Sequence, residues 1–152
     1  MTTDSPDVRL ALAAFSGEMA GTENDYFRRF FEELGVTEQV RAQEGDLPAT
    51  GRLKRVFAQA AGSGDYVAVL TVITAVMWFY LEGALLTPVS ESTVYGEWVA
   101  LHKYPSFRDF VALLRSELDR VGPQRPELAR EYFSRVLRLE IEFFDQSLEM
   151  TS

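Results

Sequence analysis

Glu140 is the residue of this chain whose position asks most of chemistry. It lies in PELAREYFSRVLRLEIEFFDQSLEM, residues 126–150, a stretch with helical periodicity. At about 100° per residue, Glu131, Arg135, Arg138, Glu142, Asp145 and Glu149 share one face. Tyr132, Phe133, Val136, Leu137, Phe143, Phe144 and Leu148 share the other. Glu140 falls in the middle of the second set, with Val136, Leu137, Phe143 and Phe144 three and four residues away. The pattern turns a carboxylate toward the core, where it costs several kcal/mol unless it is paired or protonated. Two readings stand on this pattern. Glu140 is a general acid/base with a raised pKa at the floor of a cavity. Alternatively, it is a structural carboxylate bonded to a Tyr, Trp or Arg of a neighbouring helix. A cavity with Tyr80 in reach would mark the first, and an arginine such as Arg52 or Arg115 in a filled core would mark the second.

A second stretch, AVMWFYLEG (75–83), closes an apolar run that begins at Tyr66 and meets no charge until Glu82. On a helical wheel Thr71, Thr74, Trp78 and Glu82 form one weakly polar arc, while Tyr80 lies elsewhere with Val69, Ile73 and Val76. Trp78 and Glu82 then face one neighbour and Tyr80 another. These aromatics are either core residues with satisfied polar tips or the wall of a pocket. His102 is the single histidine and sits beside Trp98, Val99 and Leu101. A lone histidine in that setting is more often structural than catalytic. The acidic residues on the outer face of the last stretch read as a solvated surface.

Composition narrows the chemistry. The chain has 152 residues, 47% hydrophobic and 25% charged, which suits one domain with a real core. Its net charge of -8 argues against a general phosphate-binding role, nucleic acid included, since that needs a basic face. The absence of cysteine removes disulfides, thiolate catalysis and Cys-based metal sites. One histidine argues against zinc, haem and di-iron centres, so no cofactor and no metal is expected. The N-terminal MTTDSPDVRL is acidic and lacks signal-peptide character. The charge-free run from Tyr66 to Leu81 is shorter than the roughly 20 residues of a bilayer span. No membrane role is expected, and the chain reads as cytoplasmic.

The elements that must position these residues are helices. The sequence predicts helix over 7–34, broken near Gly17 and Gly21, with Thr22 capping the second piece and Gly35 ending it. Residues 36–47 read as a polar connection. A helix over about 48–61 has Leu53, Val56, Phe57 and Ala60 as its apolar side. Asp65 is expected to cap a helix over about 66–86, apolar on every side and so surrounded by others. Further helices are predicted over 93–104, from Ser106 (capping box with Asp109) to Val121, and from Pro126 to about Leu148. The fold class is therefore all-α, a single-domain bundle of six or seven helices over 1–152.

Four stretches in order, ENDYFRRFFEELG (23–35), AVMWFYLEG (75–83), YGEWVALHKYPSF (95–107) and LEIEFFD (139–145), resemble the TenA/thiaminase II family of the haem-oxygenase-like helical fold. That family carries Pro-Cys-x-Trp-x-Tyr-x-Glu on a central helix, then Tyr-x-x-Trp, and closes with Glu-x-x-Phe-Trp-Asp. By this resemblance Glu140 falls on the catalytic acid/base and Tyr80 on a pocket tyrosine. Trp78 and Glu82 fall on the accompanying pair, and Phe144 lies in the closing motif. Val76 stands in place of the nucleophilic cysteine, Ala75 in place of the preceding proline, and His102 in place of a substrate-facing tyrosine. A tyrosine expected shortly after Pro48 is absent. The family is also longer by about three N-terminal helices, which carry the Asp that holds the aminopyrimidine ring. The resemblance thus implies exposed apolar surface here, to be covered in a homo-oligomer or by a partner chain.

Two functions follow as expectations. One is an aminopyrimidine hydrolase of thiamin salvage that works through Glu140 without a cysteine, with Tyr80 orienting it and His102 assisting. Its substrate-binding residues would be Trp78, Glu82, His102, Val76 and Phe144. The other is a non-catalytic protein on the same scaffold. It would bind a small aromatic ligand between Trp78, Tyr80 and Phe144, or serve as a structural subunit.

Overall fold

A computed structural model describes residues 5–18, 21, 24–43, 45–88 and 93–149. Among them are eight α-helices and no strand: α1 (Pro6–Glu18), α2 (Asn24–Glu33), α3 (Glu38–Gln43), α4 (Pro48–Gly62), α5 (Tyr66–Leu86), α6 (Thr93–Leu101), α7 (Pro105–Val121) and α8 (Pro126–Glu149). A 3-10 turn, Gly122–Gln124, joins α7 to α8. The all-α expectation holds, with more helices than the six or seven read from the sequence.

The extra helix is α3, which falls inside the expected polar connection. Thr37 starts it by accepting the Val40 N–H at 3.3 Å. Before it, α2 ends as expected on Gly35, whose φ of 67° suits glycine. The Val36 N–H returns to the Phe31 carbonyl at 2.9 Å, closing a Schellman turn. The expected cap at Thr22 lies outside the described residues.

The central helix, α5, forms where the pattern placed it. The Asp65 carboxylate accepts the Val67 and Ala68 amides at 2.9 and 3.2 Å, and Arg125 pairs with its other oxygen at 2.9 Å. With 21 residues, α5 is long and apolar enough, by length and composition alone, to cross a membrane. Its composition has a local cause, because α4, α7 and α8 pack on its sides. Val67, Leu70, Val72, Ala75, Val76 and Leu81 are all buried along it.

Two expected boundaries shift around Pro105. The predicted helix over 93–104 stops at Leu101, because the residue before a proline is pushed out of helical geometry. Tyr104 accordingly takes φ -59° and ψ 146°. The expected Ser106–Asp109 capping box does not form: Tyr104 is the cap, Pro105 opens the helix, and no side-chain cap bond is made.

The core has α5 at its centre. Val56 and Ala60 of α4 meet Val72 and Val76 of α5 and Val136 and Leu139 of α8. On another side of α5, Val67 and Leu70 meet Phe110 and Leu114 of α7. α4 and α8 are further tied by Gln146, whose Oε1 accepts the Ala49 amide at 3.2 Å. That bond satisfies an N-terminal amide that Leu47, the cap residue, has no side chain to reach.

Candidate functional site around Glu140 and Tyr80

The amphipathic pattern of α8 does what its periodicity dictates. Glu140 is 1% exposed, while Glu131, Arg138, Glu142 and Asp145 are exposed. Arg135 is half-buried. Phe144, placed by the wheel on the inner face, is 39% exposed and sits at the margin of the core.

Glu140 is not locked to an arginine. Arg52 pairs instead with Glu142 at 2.6 Å, and the Arg115 guanidinium lies 3.9 Å over the Trp78 ring. The partner of Glu140 is the Tyr80 side chain, and its Oε2 is buried without a hydrogen bond. Burial pushes its pKa from 4.5 to about 7, and the Tyr80 hydrogen bond opposes the rise by favouring the charged form. Near neutral pH both protonation states are populated, which an acid/base group requires.

Glu117 shows what a structural buried carboxylate looks like in this fold. It is 4% exposed on α7, and all its needs are met. The Tyr66 hydroxyl donates to it at 2.8 Å, and Arg120 donates from Nε and from Nη2 at 2.7 Å each. Among the described residues Glu140 has no counter-charge, and its Oε2 keeps a lone pair unused. A buried unpaired acceptor costs roughly 1–3 kcal/mol, so packing alone gives no reason to keep it.

Tyr80 reaches Glu140 from α5, on the side of that helix that also meets α6. Its ring makes edge contacts with Trp98, His102 and Phe144 at centroid distances of 6.0, 5.6 and 6.4 Å. Trp98 and His102 are tilted against each other at 4.3 Å, and Phe107 closes the far side of His102 at 5.1 Å. His102 is buried, and burial lowers its pKa below 6.5, partly offset by its bond to the backbone. Nδ1 lies 2.8 Å from the Trp98 carbonyl. A carbonyl only accepts, so Nδ1 carries the proton and the neutral ring keeps its basic lone pair on Nε2. The sequence named His102 alone; its sandwich between Trp98 and Phe107 comes from two helices and the turn joining them.

The structure therefore brings together Glu140, Tyr80, His102 and Phe144. It does not add Trp78 and Glu82 to them. Trp78 lies between α7 and α8, under the Arg115 guanidinium and 6.0 Å from the Phe133 ring, and its Nε1 donates to Glu82 Oε1 at 2.9 Å; it shares with Tyr80 only the apolar cluster of Leu81, Phe107 and Val111. The assignment of Trp78 and Glu82 as substrate-binding residues has no support in this geometry, because their polar atoms serve each other.

Val76, one helical turn before Tyr80, is 8% exposed and lines an open groove of about 290 Å³. Phe57, Ala60 and Ala61 of α4 form one wall, and Val69, Val72, Ile73, Val76 and Met77 of α5 form the other. The groove is apolar throughout and presents no nucleophile. Residues four apart on a helix are neighbours, so Val76 links this groove to the side of α5 that holds Tyr80.

The fold and the carboxylate–tyrosine pair define a class of helical protein with a buried acid on its closing helix. The chain belongs to the TENA/THI-4/PQQC family, whose model matches residues 1–150. No curated protein matches it.

Proposed function

We propose that the protein hydrolyses an aminomethyl-pyrimidine, with Glu140 as acid/base and water as the nucleophile. The observation that carries this reading is Glu140 itself: buried, without a counter-ion among the described residues, one oxygen unbonded, and half-ionised near neutral pH. Family membership supports the scaffold, and the chemistry is argued from the site.

Val76 cannot form a covalent intermediate, so displacement is direct. Ionised Glu140 takes a proton from water, the hydroxide oxygen bonds to the methylene carbon, and the carbon–nitrogen bond breaks. The proton passes to the departing amine, which leaves as ammonia, and the ring keeps a hydroxymethyl group. Tyr80 donates to the Glu140 carboxylate and holds it in one orientation. Neutral His102 supplies a basic Nε2 beside the Tyr80 ring. Phe144 and the groove over Val76 offer apolar surface for the flat ring.

A second reading has its own support. The groove over Val76 has no polar side chain in its walls, which suits a non-catalytic binder of an aromatic ligand. Both readings share one further feature: Leu86 is 83% exposed, Ile141 52%, and Phe57 39%, so a second copy or a partner chain covering apolar side chains of this kind is part of the proposal. Calorimetric titration with 4-amino-5-aminomethyl-2-methylpyrimidine, with product analysis of the same mixture, separates the readings. Binding with ammonia release supports the hydrolase, and binding without release supports the carrier. Absence of binding at millimolar ligand overturns both.

A further inference from the structure

Four arginines converge on one groove of a chain whose net charge is -8. Arg52 and Arg55 project from α4, and Arg135 and Arg138 from α8. Leu139 and Glu142 complete the lining of a space of about 310 Å³. Glu142 neutralises Arg52 at 2.6 Å. Arg138 Nε donates only to the Ser134 carbonyl of its own helix, at 3.3 Å. Among the described residues Arg55 and Arg135 have no carboxylate partner. Four positive charges against one negative leave a formal +3 in the groove.

Such an arrangement works against the fold. Arginines three apart on one helix repel, and here each of two packed helices carries such a pair, facing the other. Among the described residues, acidic side chains leave three of these four guanidinium groups, those of Arg55, Arg135 and Arg138, without a carboxylate partner. A bound anion would relieve that repulsion. The helices also fix the fork in advance, because α4 and α8 are packed through Val56, Ala60, Val136 and Leu139 and joined by the Gln146–Ala49 bond.

We propose that this groove binds a phosphate group, either free phosphate or a phosphate monoester of a small molecule. Guanidinium forks match the oxygens of phosphate, and a tetrahedral dianion accepts from donors on both walls at once. The space holds a small phosphorylated molecule, and Leu139 gives its organic part an apolar contact. The site lies on the outer face of α8, across the helix from Glu140, and does not depend on the reaction proposed there.

The test is calorimetric titration of the full chain at low ionic strength with inorganic phosphate, with cytidine monophosphate, and with an acidic decapeptide of glutamate. Saturable phosphate binding is expected at or below about 1 mM. Arg55→Gln with Arg135→Gln should weaken it at least about tenfold, since each charge-assisted bond lost is worth that order. Both side chains lack ion pairs, and circular dichroism will verify that the double variant folds. Glu142→Gln should tighten binding several-fold by freeing Arg52 and removing the opposing charge. Tighter binding of cytidine monophosphate than of phosphate assigns the ligand as a monoester, and equal binding assigns it as the free ion. No saturation by about 10 mM of either phosphate probe, binding unchanged in the double arginine variant, or binding of the peptide alone would overturn the proposal.

Discussion

Replacing Glu140 by glutamine should change the protein's stability in a pH-dependent way that no neighbouring residue can imitate. The carboxyl group has an ordinary pKa of 4.5 when exposed and about 7 when buried beside Tyr80. Below pH 4.5 it is neutral in both states and folding carries no penalty. As pH rises from 4.5 toward 7 the unfolded chain ionises first, so the folded state loses stability across that window. Above about 7 the loss is complete. The rise from 4.5 to about 7, at about 1.4 kcal/mol per tenfold change in proton affinity, makes this about 3 kcal/mol. Glutamine has nearly the same shape and no charge at any pH. Glu140→Gln should therefore gain stability relative to the parent by up to about 3 kcal/mol between pH 4.5 and 8. His102 acts in the opposite sense: its lowered pKa stabilises the protein above pH 6.5, and that stability is lost as pH falls. It is common to both proteins and cancels in the difference. Urea denaturation of the pair at several pH values measures the effect. A difference between the two proteins that stays constant from pH 5 to 8 would refute the claim that Glu140 is buried without compensation.

Tyr80→Phe removes the bond that favours ionised Glu140, so any activity or stability transition set by Glu140 should move to higher pH; a transition that stays or falls contradicts the pairing. Glu82→Gln should leave turnover unchanged, because Glu82 is occupied by Trp78; a large loss would return it to the site. Asp65→Ala should cost about 1 kcal/mol through the lost cap of α5, read as a fall in denaturation midpoint without loss of helical signal. Sedimentation at micromolar concentration should show a dimer or larger species, and a monodisperse monomer would remove the proposed covering of exposed Leu86, Ile141 and Phe57.

The signals that were local could be read in advance. Asp65 before a long apolar run placed α5 to the residue, and the 3.6-residue period of α8 pointed Glu140 inward before any partner was known. The wheel of α5 also separated Tyr80 from Trp78 and Glu82, although the family resemblance grouped all three. In the structure the polar atoms of Trp78 and Glu82 meet each other and Tyr80 meets Glu140, while both aromatic rings border Leu81, Phe107 and Val111. α3 was hidden because its six residues, four of them polar, bury nothing and are too few to show a period, so the Thr37 cap is what marks it. The capping box at Ser106 lost to a stronger constraint, since Pro105 takes the first helical position and Tyr104 must be extended. The fates of Arg52, Arg115 and His102 depend on contacts between distant segments. Which arginine meets which carboxylate, and which rings enclose the histidine, are decided by the packing of α4, α6, α7 and α8.

The most direct test of a functional Glu140 is the pH profile of ammonia release from 4-amino-5-aminomethyl-2-methylpyrimidine, measured for the parent and for Glu140→Gln. A limb with a midpoint near 7 in the parent, and loss of turnover by about a hundredfold or more in the variant, is the expected result. Turnover by Glu140→Gln equal to that of the parent would contradict it.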